Sequence, residues 1–155
     1  MRFSRLFCVA LLLGSWCGCA KDEKIVAHPV SGVVNYDGKA AAGVKVYLIP
    51  TSAPMVPQIP TNPHGQTDAS GRFTLTTFGN NDGAAEGGYQ IVLFWPPELK
   101  EGQEGNDEDR LLGWYTAARS TLTFHVKAGD NTIPTLNLPL KTTKPPESAG
   151  IPGRN

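Results

Sequence analysis

The chain has 155 residues, and its fourteen lysine and arginine residues balance fourteen aspartate and glutamate residues, so the formal net charge at pH 7 is zero. This length suits one domain with short appendages, and a domain of about 110 to 130 residues buries a core without metals or disulfides. A balanced charge without a basic patch excludes nucleic acid as an expected partner. All three cysteines lie in the first nineteen residues, which excludes a disulfide framework or a zinc site spread through a fold.

The N-terminal segment has the layout of an export signal. A positive head, Met1 to Arg5, precedes an apolar run of eight residues, Leu6 to Leu13. A membrane-spanning helix needs about 20 apolar residues, and this segment becomes polar too early, at Lys21. A short positive head followed by a short apolar core is typical of a secretory signal. We therefore predict that residues 1–18 form a signal peptide.

The end of this segment, WCGC, resembles a bacterial lipoprotein signal, whose box is Leu-small-small-Cys with cleavage just before the cysteine. Gly18 fits the position before Cys19, whereas Trp16 and Cys17 depart from the box. The resemblance implies a diacylglyceryl thioether on Cys19, with residues 19–27 as a lipid-anchored tether in the bacterial cell envelope. Two acyl chains exceed the marginal membrane binding of one. An ordinary secreted protein with incidental cysteines and an uncleaved anchor remain as alternatives.

The rest of the chain has the pattern of an all-β protein. Short runs alternate between apolar and polar residues, and glycine, aspartate and asparagine separate them. The turn at Asp37-Gly38 supplies the left-handed residue of a tight connection, and Asp68 is expected to accept bonds from backbone amides of its turn. We predict a seven-stranded Greek-key β-sandwich without helices. The clearest predicted strands are Val30–Tyr36, Val44–Ile49, Tyr89–Trp95, Leu122–Val126 and Thr132–Leu138, and Phe73 and Leu75 are expected to point inward from a further one.

Three segments are predicted to lie outside the main strands. Thr51 to Gly65 is rich in proline, which removes backbone donors, so we expect an irregular loop leading into a short edge strand. Pro97 to Arg110 is charged and is interpreted as a surface loop. Residues 142–155 contain no apolar run and are predicted to be a disordered tail.

The stretches VSGVVNYDGKAAAGVKVYLIP, GQTDASGRFTLTT and NDGAAEGGYQIVLFWP resemble the carboxypeptidase regulatory-like domains. The match covers about Val30 to Leu138. The resemblance implies a transthyretin-like (prealbumin-like) sandwich over residues 28–141, of a type common in envelope lipoproteins. It also implies a small non-catalytic domain that stabilises, tethers or presents other modules. These motifs consist of turn and core positions, so they indicate fold more than function.

The sequence offers little for catalysis or metal binding. It has no G-x-S-x-G elbow, and no pair among His28, His64 and His125 has the spacing of metal ligands. The oxygen-rich stretches 80–82 and 106–109 lack the alternating spacing of a calcium loop and are interpreted as a turn and a solvated run. No glycine-rich phosphate cradle opens a helix. We predict no enzyme activity, no cofactor, no metal and no small-molecule substrate.

One pattern predicts a contact surface. If the strands containing residues 44–49 and 89–95 are neighbours in one sheet, then Tyr47, Ile49, Val92 and Phe94 form an apolar patch on its outer face. Outer faces are usually polar, and an exposed apolar patch marks a site of contact. The alternatives are that Trp114, Tyr115 and the loop from Pro96 onward cover the patch, or that the strand register differs.

The sequence is compatible with three different functions. The first, which we favour, is a lipid-anchored envelope sandwich with a structural or protein-binding role, whose partners are the membrane and another envelope protein. The second is a carbohydrate-binding module, with Trp95, Trp114 and Tyr115 as candidate platforms, although the alternation places Trp95 on the inward face. The third, a hydrolase, has no supporting motif.

Overall fold

The computed structural model describes residues 25–52, 62–98 and 108–146. They form an all-β protein in which two main sheets enclose one apolar core, as the alternation predicts. No helix occurs within the three described ranges, and so none there is long and apolar enough to cross a membrane. The predicted signal peptide and Cys19 lie outside these ranges. The strands are β1 (Ala27–His28), β2 (Val30–Tyr36), β3 (Lys39–Ala40), β4 (Lys45–Pro50), β5 (His64–Gln66), β6 (Arg72–Thr74), β7 (Ala84–Ala85), β8 (Gly87–Phe94), β9 (Thr123–Val126), β10 (Asn131–Thr132) and β11 (Leu136–Leu138).

The first sheet is built around β2, which is paired on both edges. On one edge β10 and β11 run parallel to it, with Asn131 opposite Val30 and Leu138 opposite Tyr36. On the other edge β3 and β6 run antiparallel to it. The offset between paired residues grows by one from β10 to β11, so one extra residue bulges from this edge. Pro134, which has no amide hydrogen to donate, lies in the bulge.

The second sheet has the strand order β5-β4-β8-β9, with all neighbours antiparallel. The long pair β4 and β8 is its centre, with Tyr47 opposite Val92 and Lys45 opposite Phe94. The strands that contain residues 44–49 and 89–95 are therefore neighbours, in the register on which the predicted outer patch depends.

The core lies between the two sheets and follows the period-two alternation of the strands. Fully burying one aliphatic side chain stabilises a fold by about 1.5–3 kcal/mol, so this continuous layer is the main favourable term. Gly32 occupies an inward position of β2 because the Phe73 ring packs where its Cβ would be. The inward residues of β4, β8 and their ends are all buried: Val44, Val46, Leu48, Tyr89, Ile91, Leu93 and Trp95.

Local turn chemistry explains how consecutive strands connect. Asp37 and Gly38 have φ values of +50° and +73°, the left-handed pair needed for the tight hairpin between β2 and β3. A carboxylate oxygen of Asp68 accepts hydrogen bonds from the amides of Ser70 and Arg72 at 2.8 and 3.0 Å. Both turns were predicted from sequence, and both are confirmed.

The described residues contain eleven strands, whereas the sequence predicts seven. The single predicted strand Thr132–Leu138 is divided into β10 and β11 by the bulge. The other three additional strands have two residues each. β3 is the second strand of the hairpin that β2 begins, and β1 pairs with β7 in a separate two-stranded sheet. Two-residue strands carry no periodicity, which is why alternation does not reveal them.

Candidate functional site

The outer face of the second sheet carries the four residues that the alternation assigns to it. Tyr47 and Val92 are paired across β4 and β8, while Ile49 and Phe94 are their neighbours two residues along each strand. All four side chains are half-buried, in alternation with fully buried neighbours. We call these four residues the outer sheet surface. Because solvent-facing sides of antiparallel sheets are usually polar, this cluster has the character of a contact surface.

Two polar side chains flank the aromatic members of this surface. The Lys45 ammonium nitrogen is 5.9 Å from the centroid of the Phe94 ring, within the range of a cation–π contact. The His64 ring stacks on Tyr47 with centroids 6.4 Å apart and an interplanar angle of 25°. The apolar centre therefore has a polar margin on the β5 side.

A groove of about 490 Å³ continues this margin from β4 across β5 toward β6. It exists because Gly65 lets β5 approach the first sheet: a Cβ at this position would collide with the carbonyl oxygen of Thr74. His64 and Thr76 exchange backbone hydrogen bonds of 3.0 and 2.8 Å next to it. We call it the β5 groove; it is lined by Lys45, Tyr47, His64, Gly65, Gln66, Thr74, Thr76 and Asn81.

The β5 groove combines one aromatic pair with hydroxyl and amide groups. The Thr74 hydroxyl donates a 2.7 Å hydrogen bond to the side-chain oxygen of Asn81, which fixes one wall. The sequence does not predict this groove, because its lining comes from β4, β5, β6 and the loop after β6, which only the packing of the two sheets brings together. The available signal was Gly65 inside a strand, since such a glycine often marks a close backbone approach.

The aromatic residues predicted to cover the outer sheet surface make their described contacts elsewhere. Tyr115 packs against the core, and its carbonyl oxygen accepts a 3.0 Å bond from the Leu93 amide at the edge of β8. The Trp114 indole N–H donates to the carbonyl oxygen of Thr143 at 2.8 Å. Residues 99–107 of the predicted covering loop lie outside the described residues. The described part of the loop thus lines the β8 edge of the sheet, where the outward Gln90 side chain donates to the carbonyl oxygens of Ala117 and Ser120, and it meets the C-terminal segment at Thr143.

Trp95, one of the three aromatic residues considered as a sugar platform, is a structural residue. Only 7% of it is exposed, and its indole N–H donates a 2.8 Å bond to the carbonyl oxygen of Ala42. The Arg110 guanidinium lies 3.6 Å from its ring centroid, and the Tyr36 ring meets it edge-on at 5.2 Å. A ring enclosed in this way does not offer a face to a sugar.

The three histidines lie in separate environments. His28 Nε2 is 3.3 Å from a carboxylate oxygen of Glu86, whereas His64 stacks on Tyr47 and His125 lies on the edge strand β9. Within the described ranges, no three His, Cys, Asp or Glu side chains are grouped as metal ligands.

Asp82 and Asp109, one from each acidic stretch, accept hydrogen bonds from backbone amides. Asp82 accepts hydrogen bonds from Thr77, Phe78 and Gly79 at 2.8 to 3.0 Å, so residues 80–82 belong to a turn as predicted. Asp109 accepts three more, each of 3.0 Å. These carboxylates organise loops at the ends of the sandwich.

The turn carboxylates predict how stability depends on pH. The Ser70 hydroxyl and the amides of Arg72 and Ser70 hold the pKa of Asp68 below its ordinary value of 3.8. Burial acts to raise the pKa of Asp82, but the amides of residues 77–79 outweigh it, so this pKa is also lowered. Both carboxylates therefore stabilise the fold above the unfolded-state pKa, and this contribution is lost as the pH falls through the lower folded-state values.

We accordingly expect the urea midpoint of unfolding to fall as the pH decreases below about 4. The matched variants are Asp68→Asn and Asp82→Asn, in which the carboxylate can no longer titrate. Each should begin less stable at pH 6 and should lose less stability on acidification. A double variant with the same acid dependence as the natural protein would contradict this assignment.

No protein-family model matches the chain, and no curated protein matches it. The resemblance to carboxypeptidase regulatory-like domains therefore stays a prediction.

Several solved structures are similar to part of the chain. A DUF3823 family protein from Parabacteroides merdae is 14% identical with a TM-score of 0.39, over 74% of this chain and 46% of that one. A candidate carbohydrate-binding protein from Pseudomonas aeruginosa is 16% identical with a TM-score of 0.42, over 73% and 89% of the two chains. A DUF3823 family protein from Bacteroides ovatus is 16% identical with a TM-score of 0.36, over 72% and 44%. Likenesses this distant assign no function.

Proposed function

We propose that this chain is a non-catalytic β-sandwich of the bacterial cell envelope, anchored by a lipid on Cys19, that binds a partner protein through the outer sheet surface. The observation that carries the binding role is the pairing of Tyr47 with Val92, flanked by Ile49 and Phe94, on the solvent side of a sheet. The export signal and its terminal cysteine support the envelope location.

The shape and composition of this surface favour a protein as the partner. Tyrosine and phenylalanine are enriched at the centres of protein interfaces, where they supply a large contact area with few rotatable bonds. Lys45 and His64 at the margin resemble the polar rim of such an interface.

A non-catalytic role is supported by the contacts of three of the described carboxylates. The carboxylates of Asp68, Asp82 and Asp109 accept hydrogen bonds from backbone amides of their own turns. A general acid or base needs instead to reach a substrate in a cleft.

The lipid anchor gives a prediction with an all-or-none readout. Cys19→Ala should move the protein from the membrane fraction to the soluble fraction, because anchoring depends on its acyl chains. The fold should be unchanged, since the buried core begins at Val30. Membrane fractionation, circular dichroism and mass spectrometry of the N-terminal peptide measure these outcomes.

Cys17→Ala is the matched control for the anchor. It removes the neighbouring cysteine and should leave acylation on Cys19 intact. A Cys19→Ala protein that stays in the membrane pellet, or a natural protein whose mature N-terminus carries no lipid, would contradict the anchor.

The binding surface is tested by a photo-crosslinking residue placed at Val92 in the native bacterium. Val33 is the control, because it is a half-buried valine on the outer side of the first sheet. We expect one defined adduct from position 92 and none from position 33. Equal crosslinking from both positions, or none from position 92, would remove the outer sheet surface as the binding site.

A second candidate, a carbohydrate-binding module of the cell surface, is favoured by the β5 groove. Here the Tyr47–His64 pair lies beside the amides of Gln66 and Asn81, so a sugar would stack and hydrogen-bond within one groove. Titration calorimetry with envelope glycans, repeated with Tyr47→Ala, separates the two functions. Binding that Tyr47→Ala abolishes would favour the module, and no binding to any glycan would eliminate it.

A further inference from the structure

The strand pairings define two ends of the sandwich. β8 begins at Gly87 opposite Val126, where β9 ends, and β10 begins at Asn131 opposite Val30, where β2 begins. The short connection 127–130 brings these points together, and we call this region the N-terminal end. The hairpin between β2 and β3 lies at the opposite end.

The N-terminal part of the described chain is attached to this same end. His28 in β1 pairs with Ala84 in β7, and its Nδ1 atom accepts a 3.1 Å bond from the amide of Gly129. Val26, which precedes β1, therefore leaves the sandwich at the N-terminal end. The tether predicted from sequence continues from this point toward Cys19.

The N-terminal end presents two exposed apolar side chains. Val26 is 60% exposed and Phe78 is 47% exposed, and they are two of the three large apolar residues classed as exposed in the described part of the chain. The third, Leu140, follows β11 at the opposite end. Exposed aromatic and aliphatic side chains next to an anchor are suited to the interface of a bilayer.

The loop that carries Phe78 is held against β1. The amide of Phe78 donates a 2.9 Å bond to Asp82, and the Thr77 hydroxyl donates a 2.6 Å bond to the carbonyl oxygen of Gly83. Gly83 in turn lies so close to His28 that an added Cβ would collide with the His28 carbonyl oxygen. Phe78 is therefore presented from a fixed loop beside the strand that the tether enters.

The length of the tether limits how far this end can lie from the membrane. Five residues lie between Cys19 and Ile25, so the two Cα atoms are six steps apart and at most about 20–22 Å apart even when the chain is fully extended. The polar interface of one bilayer leaflet is itself about 5–8 Å thick. A lipid on Cys19 would thus hold the N-terminal end within reach of the interface.

We propose that the N-terminal end faces the membrane and that Phe78 and Val26 insert into the bilayer interface, a proposal that rests on the lipid anchor proposed above. The strands of the second sheet then run away from the bilayer. The outer sheet surface faces sideways, where an envelope protein can reach it, and the end that contains Trp114 points away from the membrane.

The charges near this end indicate contact by apolar insertion. Glu86, Lys127 and Asp130 are all exposed there, so both signs are present without a basic cluster. Attraction to anionic lipid needs several lysine or arginine residues near the surface. We therefore expect the membrane contact of Phe78 to be insensitive to salt and to anionic lipid content.

The chain permits a direct measurement of this orientation, because all natural cysteines lie within residues 1–19 and the proposed lipid consumes the Cys19 thiol. Asn80→Cys labels the Phe78 loop, and Lys39→Cys labels the opposite end. Each full-length lipidated protein is labelled with an environment-sensitive fluorophore and placed in vesicles of phosphatidylethanolamine and phosphatidylglycerol that contain brominated lipid. We expect strong quenching at position 80 and none at position 39, at both low and high salt.

Adding Phe78→Ser to the Asn80→Cys protein should reduce the quenching while acylation of Cys19 is retained. Equal quenching at positions 80 and 39, with acylated Cys19 confirmed by mass spectrometry, would overturn the orientation but leave the anchor standing. Quenching that Phe78→Ser does not change, or that high salt abolishes, would overturn insertion by Phe78. An unmodified Cys19 would overturn anchor and orientation together.

Discussion

Gly83→Ala is expected to destabilise the protein by about 4 kcal/mol, from backbone strain and steric collision together. Gly83 has a φ of +91°, and a Cβ there would collide with the carbonyl of His28 and with Pro29. The backbone has little freedom to retreat. The Gly83 amide donates a 2.9 Å bond to Leu75, and its carbonyl oxygen accepts the bond from Thr77.

Gly129→Ala is the matched control for this change. Gly129 has the same φ of +91°, but no atom lies within 4 Å of its added Cβ. It should therefore cost about 1–2 kcal/mol from the backbone conformation alone. Urea unfolding of both variants measures the difference, and equal losses of stability would show that β1 does not pack closely against residue 83.

Trp95→Ala is expected to cost about 3–5 kcal/mol, the range for removing a large buried aromatic side chain. The substitution opens a cavity under Arg110 and Tyr36, which both contact the indole ring. It also removes the hydrogen bond that the indole N–H donates to the Ala42 carbonyl oxygen. The effect on stability follows from packing, so it requires no ligand.

Trp114→Ala is the matched control for Trp95. Trp114 is only half-buried; its indole N–H donates to the Thr143 carbonyl oxygen, and the Lys141 ammonium lies 4.1 Å from its ring centroid. We expect a loss of about 1 kcal/mol, from one hydrogen bond and one exposed cation–π contact. Chemical denaturation followed by circular dichroism compares the two variants. A larger loss for Trp114→Ala would reverse the roles assigned to the two residues.

The two proposals together give the outer sheet surface a position in the envelope. A sandwich held by its N-terminal end presents the sides of its sheets parallel to the membrane normal. Tyr47 and Val92 then face the space beside the protein, which suits a partner anchored in the same membrane. The Asn80→Cys and Val92 experiments test these two statements separately.

Local chemistry made several parts of the structure predictable from sequence. β2 has the predicted bounds, Val30–Tyr36, because its alternation is uninterrupted and Asp37-Gly38 ends it with a left-handed turn. The outward positions of Tyr47 and Val92 follow from the same period-two rule once their strands are paired. Strand bounds, turns and the inward or outward direction of side chains depend on residues that are close in sequence, so short-range patterns predict them.

Tertiary contacts decided the features that matter most for function. The β5 groove requires Gly65 to meet Thr74, the enclosure of Trp95 requires Arg110, and the position of Phe78 at the N-terminal end requires Gly83 to meet His28. Each contact joins segments that belong to different strands or loops. Neither hydrophobic periodicity nor a turn motif predicts which segments come into contact. An all-β sandwich with defined inner and outer faces was predictable from the residue pattern alone. Which outward residues form a groove, and which end carries the tether, depended on long-range backbone approach and packing, whose energies arise only when the sheets come together.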